Sequence, residues 1–397
     1  MPASHRRRAP GLLLVTPAIL LAGCSTLDGW LPGMPSAPEP AVMPRLDALP
    51  LEAPIDPIRF VLETPEQSVI GVPQVVFTRA DDTLADIAVE YGLGYDALVA
   101  ANPGVDPWLP GERTAILLPT QFVVPDVPRR GVVLNIAAKR LFYFPADGIE
   151  RDAESGDVTR QTVLTFAVGI GRVGWETPLG ETKVVAKAKD PTWWVPASVR
   201  QEHAEIGDPL PAVVPPGPDN PLGSRVLQLD MPGYLIHGTN QPYGVGMRVS
   251  HGCVRLYPDN IEFLYELVPV GESVRIINEP YQLGRLGDEW YFEGHAPLQD
   301  DAVDPALRIE AVLARLAAAE DGSSVFGDHV RAIASAANGM PTRIAAEDQH
   351  EILARLRRVH NTVETDPDAP SLEEVRQMID EAVAAPDLEA ALTDDVL

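Results

Sequence analysis

The pattern of apolar and polar positions changes character several times along the chain. One continuous apolar run, Gly11 to Leu21, follows the basic cluster Arg6-Arg7-Arg8. It is too short to span a bilayer and predicts a cleaved secretory signal over residues 1–23. From Cys24 to residue 74 no period is sustained, and prolines crowd Leu31-Pro-Gly-Met-Pro-Ser-Ala-Pro-Glu-Pro. That composition predicts an extended, semi-stiff spacer. A period then appears. Val75-Val-Phe77 reads as a short strand, and Leu84, Ile87, Ala88 and Tyr91 fall at i, i+3, i+4 and i+7 between a cap at Asp82 and a stop at Gly92. A second helix runs from Asp96 to Ala101 and stops at Asn102-Pro103; Ala115 to Leu118 closes as a strand. Residues 75–119 therefore predict a small βααβ unit.

Beyond residue 130 the period is two. Val133, Asn135 and Ala137 alternate up to a turn at Ala138-Lys139, Leu141 to Phe144 returns as the second arm of a hairpin, and Thr162 to Val168 is a further strand. Gly169-Ile-Gly171 leads into Trp175-Glu-Thr-Pro-Leu-Gly180 rather than into a helix, which argues against a dinucleotide site. Short strands with Gly/Pro turns continue to about residue 280, giving a β-rich domain over 130–280. Residues 281–300, with Trp290-Tyr-Phe-Glu293, predict a final hairpin attached to it. From 301 the pattern turns helical. Asp304-Pro305 opens a stripe of Ile309, Val312, Leu313 and Leu316, a second stripe is Ile352, Leu353, Leu356 and Val359, and the capping box Ser371 to Glu374 opens a third. These helices either cover the rest of the chain, bind a partner, or stay tethered. The fold class expected is α+β.

Composition sharpens this organisation. At 397 residues the chain is long enough for two or three units, and its 40 prolines fit linkers and rigid loops. A net charge of −26 without a clustered basic face excludes nucleic acid as a partner. Residues 300–397 carry 21 acids and 8 arginines, about half of that net charge, which marks the C-terminal region as a separate acidic module.

Two cysteines cannot build a disulfide framework, and their contexts differ. Cys24 ends Leu21-Ala22-Gly23-Cys24. Cys253 lies in Arg248-Val-Ser250-His251-Gly252-Cys253-Val-Arg255, shortly after Tyr234-Leu-Ile-His237-Gly238-Thr239. A cysteine attacks as its thiolate, which is scarce near neutral pH, so it needs a base within reach and donors for the oxyanion of an attacked acyl group. His237 and His251 are candidate bases. Gly252 leaves room for a substrate, and its amide with that of Cys253 could form the oxyanion hole. A zinc site built from His237, His251 and Cys253 is the rival chemistry, although a two-residue His-x-Cys spacing is unusual for it. Nothing in the sequence calls for a metal or another cofactor. His203, His295, His329, His350 and His360 belong to no constellation and read as surface residues.

These residues carry three resemblances. The stretch His237-Gly238-Thr239 with Ser250-His251-Gly252-Cys253-Val254-Arg255 resembles the active-site signature of L,D-transpeptidases with a YkuD-type catalytic domain. The likeness extends through Thr177-Pro-Leu-Gly180, Pro191-Thr-Trp193 and Pro216 to Gly223. It implies Cys253 as acyl-accepting nucleophile, His237 as general acid/base oriented by the Gly238 carbonyl, and His251 as a supporting partner. Ser250, Thr239 and Trp193 are then expected at the substrate, while Arg255 either holds a substrate carboxylate or braces the loop. The implied reaction attacks a peptidoglycan tetrapeptide stem before its terminal D-Ala and passes the thioester to an amine. A second stem as acceptor gives a 3→3 cross-link, and a lysine-bearing outer-membrane lipoprotein gives anchoring. A hydrolase of such bonds and a non-catalytic wall-binding lipoprotein are the alternatives. Residues 75–119, with Asp82-Thr-Leu84 and Asn102-Pro-Gly104, look like a LysM domain, which implies peptidoglycan glycan as a partner. The Cys24 context resembles a lipobox, which implies lipidation at Cys24 and, with Ser25 next, periplasmic exposure from the outer membrane.

Overall fold

Nine strands hydrogen-bond side by side in the order Val254–Arg255, Leu235–His237, Arg225–Leu229, Gly180–Lys189, Ser273–Ile277, Gly131–Asn135, Arg140–Phe144, Val158–Ala167 and Arg59–Leu62; a tenth, Ile149–Arg151, pairs with Val158–Ala167. The pairs Leu235–His237 with Val254–Arg255 and Gly131–Asn135 with Ser273–Ile277 are parallel, and the rest are antiparallel. This computed structural model describes residues 46–319, 326–345, 349–364, 373–377 and 379. The signal segment, Cys24, the spacer up to residue 45, and Ser371, Leu372 and Met378 of the third C-terminal helix lie outside the described residues. Among those described, no helix is long and apolar enough to cross a membrane.

Alternating side chains sort the hairpin at 131–144 onto two cores. Val132, Leu134, Leu141 and Tyr143 pack with Ile261, Leu264 and Tyr265 of the helix Pro258–Leu267. Val133, Phe142 and Phe144 face the other way, onto Leu84, Ile87, Leu98 and Leu118 of the βααβ unit. The sheet is therefore buried on both faces, and the βααβ unit is part of its core rather than a bead on a string. Exposing Val133, Phe142, Phe144 and Val163 would forfeit about 1.5–3 kcal/mol each. Together that rivals the stability of a typical domain.

The βααβ unit has the predicted order, with strands Gln74–Phe77 and Ala115–Leu118 antiparallel and helices Leu84–Glu90 and Tyr95–Ala101 between them. Its first cap is Thr83 rather than Asp82. Thr83 Oγ1 accepts the Asp86 N–H and the Asp86 carboxylate accepts the Thr83 N–H, a reciprocal capping box. Asp82 instead accepts from the Arg79 N–H and from Asn361 Nδ2.

Three sequence expectations need correction. The spacer assigned to 24–74 stops short of its end: Arg59–Leu62 is the edge strand of the large sheet, and Val69–Gly71 pairs with Gln121–Val123. Flanking prolines hid the short alternation of Phe60 and Leu62, which pack inward, with exposed Val61. The hairpin Tyr281–Leu286/Glu289–Gly294 exists, but it pairs with Thr342–Arg343 and packs under the helices Pro305–Ala319 and Gly327–Ala336, so it belongs with the C-terminal region. That region is not simply helical. The stripe from Ile352 to Val359 breaks after the helix Gln349–Arg355, and Arg357–Val359 becomes a strand between Leu51–Glu52 and Gln74–Phe77. An open edge of the Gln74–Phe77 strand offers backbone partners that a short, weak helix cannot match.

Candidate active site

The site forms at the edge of the large sheet where its last two strands run parallel. Pairing of Ile236 with Val254 turns both into the core, so His237, Cys253 and Arg255 share the opposite face, with His237 beside Arg255. Cys253 lies just before the strand Val254–Arg255, across from the neighbouring strand that ends at His237. In this structure Cys253 and His237 are not hydrogen-bonded to each other. The Cys253 thiol points at the Gly233 carbonyl, 3.6 Å away. Cys253 is the one free cysteine among the described residues. Burial pushes its thiol pKa up, against the Leu235 N–H and the Arg255 charge.

His237 is 3% exposed, and its Nδ1 lies 2.6 Å from the Gly238 carbonyl. A carbonyl only accepts, so Nδ1 carries the hydrogen and Nε2 keeps its lone pair. Burial and then the Arg255 charge lower its pKa to about 3, outweighing the Gly238 and Leu222 carbonyls. The imidazole is thus neutral at neutral pH, with its Nε2 lone pair unprotonated. Gly238 is wedged against Ile261 and Gly223, whose loop is fixed by Asn220 donating to Pro191 and Pro215.

The loop 250–253 is held one peptide unit at a time. Ser250 Oγ donates to the Cys253 carbonyl, Thr177 Oγ1 donates to the Gly252 carbonyl at 3.0 Å, and His251 Nε2 meets Glu202 Oε2 at 2.7 Å. Gly252 has φ +93°, and a Cβ there would lie 2.8 Å from the Tyr234 ring, so only glycine makes this turn without strain. Among the described residues, neither the Gly252 nor the Cys253 N–H donates a hydrogen bond. Two free backbone donors beside a thiol are what an oxyanion needs.

Other expected residues fall into place differently. Ser250 and Thr239, expected at the substrate, are buried and spend their hydroxyls on the loops, Thr239 Oγ1 accepting the Gln241 N–H. Trp193 pairs with Val214 on a separate two-stranded ribbon, and among the described residues no ring contact or hydrogen bond joins it to the Cys253 loop. The Arg255 guanidinium is buried, which lowers its pKa, and it makes no hydrogen bond or ion pair among the described residues, with Nε fully enclosed. No group of three His, Cys, Asp or Glu side chains among those residues is arranged to hold a metal, so His237, His251 and Cys253 do not converge as ligands.

Sequence reasoning missed Glu202 and Arg172. Both are buried and form an ion pair, and Arg172 Nη2 lies 3.2 Å from His251 Nε2. Trp175 meets the His251 ring edge-on at 4.9 Å, and His203, expected on the surface, lies 6.0 Å from it. His295 likewise is half-buried against Glu293. The one available signal for Glu202 was its place three residues after Val199 on an otherwise exposed helix, Ala197–Glu205.

Residues 129–276 match the family model of the L,D-transpeptidase catalytic domain, YkuD. The chain is 40% identical over 245 residues to "Probable L,D-transpeptidase YbiS" of Escherichia coli (strain K12), covering 61% of this chain and 76% of that protein. It is 36% identical over 294 residues to "Probable L,D-transpeptidase ErfK/SrfK" of Salmonella typhimurium, covering 71% and 90% respectively. With "Probable L,D-transpeptidase YcfS" of Escherichia coli (strain K12) it shares 36% identity over 268 residues, covering 66% and 80%. A cysteine, a neutral imidazole and two free amides thus stand in a chain that belongs to the L,D-transpeptidase family, and the protein is an L,D-transpeptidase enzyme.

Proposed function

We propose that this enzyme works on peptidoglycan, with Cys253 as nucleophile, His237 as general acid/base and the Gly252 and Cys253 amides as the oxyanion hole. The observation that carries the reading is the neutral, Nδ1-anchored His237 sharing a sheet face with Cys253 beside two unused N–H donors. The thiol is protonated at rest. On attack its proton passes to His237 Nε2 as sulfur bonds to the carbonyl carbon before the terminal D-Ala of a tetrapeptide stem. The electron pair moved onto oxygen is held by the two amides. As the C–N bond breaks, His237 returns the proton to the leaving D-Ala amine, leaving a thioester. An incoming amine repeats the sequence in reverse and frees the thiol. Arg255, a buried cation with no hydrogen-bond or ion-pair partner among the described residues, suits the substrate carboxylate, since an uncompensated buried charge is costly until a ligand pairs with it.

Residues 75–119 are read as a LysM-like glycan-binding unit, supported by their βααβ order and by Leu109, an apolar side chain 67% exposed in the loop after the second helix. The Leu21-Ala22-Gly23-Cys24 run supports lipidation at Cys24, which would tether the enzyme on the periplasmic side, at the outer membrane, and raise its concentration on the wall.

The test is mass spectrometry of a disaccharide-tetrapeptide incubated with the chain beginning after Cys24, with Cys253→Ala as control. A dimer lighter by one D-Ala, absent in the control, is expected. Turnover that survives in the control would refute the mechanism. A trimmed tripeptide alone would direct attention to a protein-lysine acceptor. Because the βααβ unit is built into the core, its role is better tested by Leu109→Asp than by deletion: retention on purified sacculi should weaken while D-Ala release is unchanged.

A further inference from the structure

We propose that Glu202 is a positioning residue for the reaction at Cys253: its carboxylate fixes the Nε2–H tautomer of His251 and so pins the loop that presents the two oxyanion donors. The proposal rests on the reaction given above. Helix Ala197–Glu205 lies in the segment joining the adjacent strands Gly180–Lys189 and Arg225–Leu229, and it buries only Val199 and Glu202. A helix that docks through a carboxylate, when an apolar residue would do so at less cost, keeps that carboxylate for its partners. Glu202 has two partners, from two other elements. Arg172 follows the strand Ile170–Gly171, its own N–H held by the Ser250 carbonyl, and pairs with Oε1. His251 Nε2 sits against Oε2.

The tautomer follows from the donor inventory. A carboxylate held ionised by Arg172 can only accept, so Nε2 of His251 must carry the hydrogen and Nδ1 the lone pair. The nearby Arg172 Nη2 is also a donor, so its approach to Nε2 is a contact and not a bond. Burial, opposed by Glu202, and the Arg172 and Arg255 charges hold the His251 pKa at about 4, so the ring is neutral at neutral pH. The ring is confined further by Trp175 and His203. Glu202 thus supplies the first of three anchors on consecutive residues, ahead of Thr177 on the Gly252 carbonyl and Ser250 on that of Cys253. Release of the first lets the Gly252 peptide swing, and the N–H donors lose their aim.

Glu202→Gln tests this with little change of shape. The amide oxygen stays with the charged Arg172 donor, so the NH2 faces His251 Nε2, which must then accept. The chain after Cys24 is labelled with 15N-histidine, and two-bond 15N–1H spectra at neutral pH report the tautomer, the His251 signals being those lost in His251→Gln. The wild type should show Nε2–H and Glu202→Gln a shift to Nδ1–H. D-Ala release from the tetrapeptide should fall about 10- to 100-fold in kcat, with KM within about twofold. Wild-type His251 as the Nδ1–H tautomer would overturn the proposal, and this reading holds even if Glu202→Gln does not fold. A folded Glu202→Gln with wild-type kcat would overturn it equally. A wild type with the Nε2–H tautomer that releases no D-Ala from any stem would instead overturn the reaction, and with it the catalytic consequence.

Discussion

Thr177 offers the sharpest separation of loop geometry from bulk packing. Its hydroxyl is buried and does two jobs, accepting the Gly171 N–H at 3.0 Å and donating to the Gly252 carbonyl at 3.0 Å. Thr177→Val keeps the side-chain shape and removes both bonds. Each buried backbone group left unpaired costs about 1–3 kcal/mol, so about 2–6 kcal/mol of stability should be lost. Thr177→Ser keeps both bonds and gives up one methyl, about 1 kcal/mol. Urea denaturation followed by tryptophan fluorescence measures both, with unchanged slope required for a valid comparison. Because the group left without its donor is the Gly252 carbonyl, Thr177→Val should also lower kcat about tenfold or more while KM moves little. A valine variant within about 0.5 kcal/mol of wild type and with unchanged kcat would refute the role assigned to this hydroxyl.

The remaining predictions follow from the same structure. His237 has a folded pKa of about 3, below its unfolded value near 6.5, so the unfolded chain binds more protons and stability falls as pH drops from about 6.5 towards 3. The slope it adds is about 1.4 kcal/mol per pH unit, and His237→Asn should flatten that part of a stability–pH curve measured by denaturant titration. Gly252→Ala forces a side chain into φ +93° and against Tyr234, and should cut kcat by at least about tenfold with the fold retained by circular dichroism. Val359→Asp places an unpaired carboxylate in the core shared by the βααβ unit and the sheet, and should cost more than about 3 kcal/mol in the same denaturation assay. A variant within about 1 kcal/mol of wild type would mean that Arg357–Val359 does not bind there in solution.

The chemistry was legible in the sequence because it is carried by contiguous residues. Ser250 to Arg255 is one contiguous stretch and His237-Gly238 another, so spacing brought the candidate residues to notice and the family resemblance supplied the roles expected of them. The βααβ order was legible for the same reason, since helix period and turn residues act within a few positions. Which residue caps, Thr83 or Asp82, was not, because both are good caps and the choice depends on Asn361, far along the chain, taking the second. Glu202 and Arg172 were invisible because a helix carrying one buried acid looks like any exposed helix until its partners arrive from elsewhere.

What the sequence by itself determined was local: the period-two strands, the helix starts, and the contiguous stretches that carry the candidate thiol Cys253 and the candidate bases His237 and His251. Tertiary structure decided everything that depends on which surface meets which. It buried the sheet on both faces, since alternation specifies two faces but not what covers them. It turned Arg357–Val359 from helix to strand, because the free edge of Gln74–Phe77 was a better hydrogen-bonding partner than another helical turn. It also set the protonation of the site, because the pKa of His237 reflects burial and the Arg255 charge, neither of which is a property of the residue's neighbours in sequence.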